Sequence, residues 1–83
     1  MTTGVQFVGS LAANQTQRWF TFNWNAAWHV VWYMMPTSVQ TVPEISWSVA
    51  TQRADATNVT YWITVTNLTG TPVTFEGRYA ILA

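Results

Sequence analysis

Apolar and polar residues alternate with a period of two through most of this chain, and no segment shows helical spacing. β-branched and aromatic residues dominate, and turn residues interrupt them at short intervals, which is the pattern of antiparallel strands. Six strands are expected. The first, Val5–Leu11, sets Val5, Phe7, Gly9 and Leu11 on one face, and Ala12–Gln15 connects it to the second. That strand, Arg18–Trp24, sets Phe20, Phe22 and Trp24 on one face and Trp19, Thr21 and Asn23 on the other. The third is Ala27–Met35, closed by Pro36. The fourth, Glu44–Arg53, points Ile45, Trp47 and Val49 inward. The fifth, Val59–Leu68, does the same with Val59, Tyr61, Ile63 and Val65, and the sixth, Val73–Leu82, with Val73, Phe75, Tyr79 and Ile81. Regular short strands of this kind predict an all-β fold, a small antiparallel β-sandwich of jelly-roll-like type, as one domain over residues 1–83.

Six tryptophans sit in these strands and turns: Trp19, Trp24, Trp28, Trp32, Trp47 and Trp62. A chain of 83 residues buries only ~60–65% of its unfolded surface, so it has room inside for a few such rings. The others are expected to meet a partner. Charged residues are 7% of the chain, against roughly 25% in an ordinary soluble protein. They are Arg18, Arg53, Arg78, Glu44, Asp55 and Glu76, and they cancel. Three arginines and no net field give nucleic acid nothing to hold. Near-zero charge also removes self-repulsion and favours self-association. Cysteine is absent, which excludes disulfides and thiolate metal sites. No apolar run approaches the ~18 residues of a membrane span. No leader peptide is read in the chain, and secreted and cytoplasmic locations both stay open.

The third strand breaks the alternation. Trp28, Val30, Trp32 and Met34 line one face, while His29, Val31, Tyr33 and Met35 line the other, so both faces are largely apolar. The reading adopted is that one face meets another copy of the chain, with Trp28, Trp32, Tyr33 and Met34 at the subunit interface. A central strand covered on both sides is the alternative. Trp62 in a row of threonines, and Trp19 beside Thr21 and Asn23, are the other breaks. Large rings on polar faces mark interfaces and sugar sites, because aromatic faces stack on the C–H faces of sugars while polar side chains bind hydroxyls. Trp19, Trp62, Arg53, Glu76 and Arg78 are the candidate ligand-binding residues.

Catalytic signals are missing. His29 is the only histidine and is read as a packed, hydrogen-bonded ring. A Ser–His–Asp set from Ser46 or Ser48, His29 and Asp55 has no local signature behind it. Glu44, Asp55 and Glu76 allow several carboxylate pairs for glycoside hydrolysis, and no motif chooses among them. No metal site or cofactor is expected. Glu76 and Arg78 read as a surface ion pair. Three Asn-X-Thr sequons begin at Asn14, Asn58 and Asn67, and are read as turn asparagines beside strand threonines.

The stretch Phe7-Val8-Gly9-Ser10-Leu11-Ala12-Ala13-Asn14-Gln15-Thr16-Gln17-Arg18-Trp19-Phe20-Thr21-Phe22 resembles the start of small bacterial pre-peptidase C-terminal type domains. Those run as Gly-x-Leu, small residues, polar residues, then aromatic-x-aromatic. The segment Ile63–Gly70, followed by Tyr79-Ala80-Ile81-Leu82, is similar to their ending. The resemblance is one of β-sandwich rhythm, and the acidic middle of the family is missing. It implies a jelly-roll-like accessory module that binds or stabilises. The strand Trp28–Met35 is the chief departure from the family, and it puts any ligand or calcium site implied by the resemblance in doubt.

Together these readings predict a non-catalytic binding module that forms a symmetric homo-oligomer, with carbohydrate as the expected ligand and avidity supplied by copies. A purely structural self-assembly domain is the first alternative. A membrane-interacting β protein is the second, disfavoured by the absence of lysine and of any basic patch.

Overall fold

The computed structural model describes residues 1–82. All its regular structure is β: β1 (Thr2–Leu11), β2 (Thr16–Asn25), β3 (His29–Pro36), β4 (Ile45–Arg53), β5 (Asn58–Asn67) and β6 (Val73–Leu82). They form two antiparallel three-stranded sheets, in the orders β1-β6-β3 and β2-β5-β4. The sheets are named here by their central strands. Ring contacts show the β6 and β5 sheets stacked face to face: Phe7 and Phe75 meet Trp19, Tyr79 meets Trp24, and Trp32 meets Tyr61, so β1 and β6 lie over β2 and β3 lies over β5, with Tyr33 at the β3 edge meeting Trp47 of β4. The expected all-β antiparallel sandwich is thus the observed one.

Alternation decides the core. Val59, Tyr61, Ile63 and Val65 of β5 face Val73 and Phe75 of β6, and Leu11, Trp24, Trp32 and Met34 close the cluster. Each such large side chain taken fully out of water contributes ~1.5–3 kcal/mol. Three cross-strand pairs between β1 and β6 set a ring against a glycine: Gly4 with Tyr79, Phe7 with Gly77, and Gly9 with Phe75. A Cβ at Gly9 would come within 2.6 Å of the Phe75 ring, so the glycines are sockets for those rings.

Two bulges move side chains from where simple alternation puts them. The register of β2 on β5 shifts between Thr21 and Trp24, and Asn23 takes a φ of 65° there. The extra residue changes phase, so Trp19, Thr21 and Trp24 point inward while Phe20 and Phe22 point out. This corrects the expected facing of β2 except at Trp24. A second bulge between Val5 and Phe7 turns Val5 out, although Phe7, Gly9 and Leu11 keep their expected face.

The third strand is also corrected. It is an edge strand beside β6, it begins at His29, and Trp28 lies in the preceding turn, half exposed. Trp32 and Met34, expected at a subunit interface, are buried inside the sandwich against the β5 sheet. They sit on the inner face because Trp32 pairs with Tyr79 and Met34 with Gly77, both inward positions of β6. Tyr33 and Trp28 keep about half their surface in solvent. His29, expected to be packed, is exposed at the strand start.

Polar side chains secure the connections. Asp55 Oδ1 accepts hydrogen bonds from the Thr57 and Asn58 amides at 2.8 Å, and Asn25 Oδ1 accepts one from the Ala27 amide. Asn67, buried at the end of β5, donates from Nδ2 to the carbonyls of Ala12 and Thr71 and accepts at Oδ1 from the Thr69 amide and hydroxyl. It ties the β1–β2 connection to the β5–β6 turn.

Candidate functional site

The outer face of the β5 sheet is a field of hydroxyls with one aromatic row in it. Register places Thr16, Thr66 and Ser46 side by side, then Arg18, Thr64 and Ser48, then Phe20, Trp62 and Ala50. Thr16 and Thr66 share a hydrogen bond of 2.9 Å across the strands. Phe20 and Phe22 are each 59% exposed, with ring centroids 6.1 Å apart and planes inclined by 28°. Phe20 lies 5.1 Å from Trp62, inclined by 31°. The Arg18 guanidinium stands 4.8 Å from the centroid of the Trp62 ring, a cation–π contact worth ~0.5–1 kcal/mol at an exposed site. Trp62 Nε1 donates to Gln52 Oε1 at 2.8 Å, which holds the indole in one orientation. The row is therefore Phe22, Phe20, Trp62 and Arg18, with Gln52, Thr64 and Ser48 as its polar neighbours.

The outer face of the β6 sheet differs. Val5, Val8, Val31, Tyr33 and Leu82 are exposed there. Ala80, small and central, leaves a shallow depression of about 490 Å³ between Val5 and Thr3 on one side and Val31 and Tyr33 on the other. Arg78 at its rim pairs with Glu76 at 2.9 Å. Both groups are solvent-accessible, so the pair contributes under ~1 kcal/mol.

The expected ligand-binding residues do not converge. Trp62 stands on the outer face of the β5 sheet, and Glu76 and Arg78 stand on the outer face of the β6 sheet, on the opposite side of the sandwich. Arg53 is at the end of β4, where its Nη2 donates to the Ala56 carbonyl at 2.7 Å. Trp19 is turned inward, 5.7 Å from the Phe7 ring and 5.2 Å from Phe75, because the phase of β2 is opposite to the expected one. Phe20, Phe22, Arg18 and Gln52 were not anticipated. The pairing of β2 with β5 brings them to Trp62, and the signal within reach was Asn23, a residue tolerant of positive φ in mid-strand.

Hydrogen bonds, first from the Thr57 amide and then from Asn58, hold the Asp55 carboxyl below its usual range. Among the described residues no three His, Asp or Glu side chains gather as metal ligands. Ser46 and Ser48 lie on the outer face of the β5 sheet and His29 on that of the β6 sheet, so no triad forms. Of the sequon asparagines, Asn14 is exposed in a turn with φ of 59°, Asn58 bonds Asp55, and the Asn67 amide is buried.

No family model, curated protein or solved structure matches the chain. Its function has to be read from its own residues.

Proposed function

We propose that this chain is a non-catalytic carbohydrate-binding module, presented by a symmetric homo-oligomer. The observation that carries the reading is the aromatic row of exposed Phe22 and Phe20 and half-buried Trp62, set among the hydroxyls of Thr16, Thr66, Thr64, Ser46 and Ser48 with Arg18 against the indole. Sugars present C–H patches ringed by hydroxyls. The row offers apolar surface for the first, and Thr64, Ser48 and Arg18 offer donors and acceptors for the second. A neutral ligand suits a nearly neutral face. Asp55, the acid with a clear shift, is held ionised, whereas a general acid needs its proton held to higher pH.

A structural self-assembly role is the second reading. It is favoured by the apolar outer face of the β6 sheet, where Val5, Val8, Val31 and Tyr33 are exposed together. A glycan array followed by calorimetry separates the two. Phe20→Ala and Phe22→Ala remove exposed rings and should leave the fold intact. Each is expected to weaken oligosaccharide binding by about tenfold or more, the equivalent of ~1.4 kcal/mol. Variants that bind as tightly as the wild type, or a wild type that binds no glycan, would refute the carbohydrate reading.

A further inference from the structure

Each three-stranded sheet leaves two long sides open, and unpaired edges are where sheets join. Three of the four edge strands carry a device against pairing. β1 has the bulge between Val5 and Phe7, and β2 the bulge between Thr21 and Trp24. On β3, the Thr37 amide donates to Thr74, so the odd-numbered positions face β6 and Pro36 falls in the alternate set, on the open side, where it offers no N–H. β4 has no bulge in its register and no proline, and its one charge, Arg53, is at its end.

The register of β4 gives the chemistry of its open side. The Leu68 amide donates to Glu44 and the Ala54 amide to Asn58, at the two ends of the β4–β5 ladder. Antiparallel ladders alternate bonded and non-bonded pairs. Ser46, Ser48, Ala50 and Gln52 therefore share the bonds to β5 with Glu44 and Ala54. Ile45, Trp47, Val49, Thr51 and Arg53 turn their N–H and C=O groups outward, and among the described residues nothing pairs with them. We infer that this edge is a homodimer interface, in which β4 pairs antiparallel with β4 of a second copy across a twofold axis through the Val49 pair. The inference rests on the self-association in the proposed function and names its surface.

The strand is complementary to itself in that register. Full overlap sets Val49 opposite Val49, Trp47 opposite Thr51, and Ile45 opposite Arg53, all with bonding groups facing each other. On the outer face Ser46 meets Gln52 and Ser48 meets Ala50. No like charges oppose, and the net charge of zero adds no repulsion between copies. The other edges being obstructed, pairing stops at two copies, a closed arrangement. The product is one six-stranded sheet, twice the three strands of the β5 sheet. Both aromatic rows then lie on one continuous face. Trp62 pairs with Ala50, which places the two Trp62 positions roughly 16 Å apart, from three strand spacings and a two-residue offset. A polymer long enough to span them gains avidity from both rows.

Light scattering of the full chain tests this with three variants. Val49→Pro removes an N–H that faces outward and no bond to β5. Val49→Lys and Val49→Glu place like charges on the axis. The wild type is expected at twice 9.4 kDa and all three variants at 9.4 kDa with unchanged far-UV circular dichroism. An equimolar mixture of the Lys and Glu variants is expected to restore the dimer, and this holds the test if the proline variant fails to fold. A wild type that stays at 9.4 kDa up to millimolar concentration, or charge variants that remain dimeric alone, overturns the interface. A dimer that binds no glycan overturns the carbohydrate reading and leaves the interface standing. A glycan binder whose Val49→Lys form is still a dimer does the reverse.

Discussion

Replacing Asn67 should remove a large share of the stability of the fold, and the amount follows from its bonds. The side chain is 1% exposed. Its Nδ2 donates to the carbonyls of Ala12 at 3.0 Å and Thr71 at 2.8 Å, and its Oδ1 accepts from the Thr69 amide at 2.9 Å and hydroxyl at 2.8 Å. Each bond contributes ~1 kcal/mol net, and a buried partner left unpaired costs ~1–3 kcal/mol. Asn67→Ala is therefore expected to cost about 3–5 kcal/mol, against ~4–12 kcal/mol for a whole chain of this length. Asn67→Asp is sharper. The oxygen replacing Nδ2 faces the two carbonyls, so the folded state disfavours the carboxylate and raises its pKa above the unfolded value of ~3.9. A raised folded pKa gives stability that is present below the unfolded pKa and is lost as pH rises through the folded one. Urea unfolding followed by tryptophan fluorescence at pH 4.5 and pH 8 should show Asn67→Asp closer to the wild type at the lower pH. A cost below about 1 kcal/mol for Asn67→Ala, or an Asp variant equally damaged at both pH values, would refute the clamp.

Two buried indoles give a paired comparison. Trp24 Nε1 donates to Thr21 Oγ1 at 3.0 Å, whereas Trp32 Nε1 is buried with no hydrogen-bond partner among the described residues. Phenylalanine removes the same ring volume at each, so Trp24→Phe should cost about 1–2 kcal/mol more than Trp32→Phe in chemical denaturation, and the opposite order would contradict the assignment. Burial raises the Tyr61 phenol above 10.0. The stability linked to it is present below that value and is lost as pH rises through the raised one, so an ultraviolet titration should find a late phenol in the wild type that is missing from Tyr61→Phe, and the variant should lose its share of the alkaline destabilisation.

The strands and the fold class were legible because alternation is a local signal. Val59, Tyr61, Ile63 and Val65 read inward and are inward. Facing failed at β2 because one extra residue at Asn23 reverses phase, and a bulge leaves little trace in composition. β3 reads as apolar on both faces, yet sequence does not say which face is the inner one. Its pairing with Tyr79 and Gly77 decides that, and sends Trp32 and Met34 to the core. The candidate site was half legible. Trp62 stood out among threonines, but Arg18, Phe20 and Gln52 reach it only through strand pairing. Tertiary neighbours of that kind lie far apart along the chain, where no period connects them.

The place of β6 has a consequence for biosynthesis. Every strand of the β5 sheet has been made once Asn67 is complete, so that layer can pair first. The other layer cannot: β1 and β3 touch each other through β6 alone, and its pairing with β1 reaches from Thr2 to Ile81. Until β6 emerges, Phe7, Trp32 and Met34 have no sheet to hold them, and the chain carries half a sandwich with an uncovered oily side. Closing so long a loop is slow. The interval before β6 emerges is when a nascent chain of this design is most prone to clump with its neighbours on the same messenger.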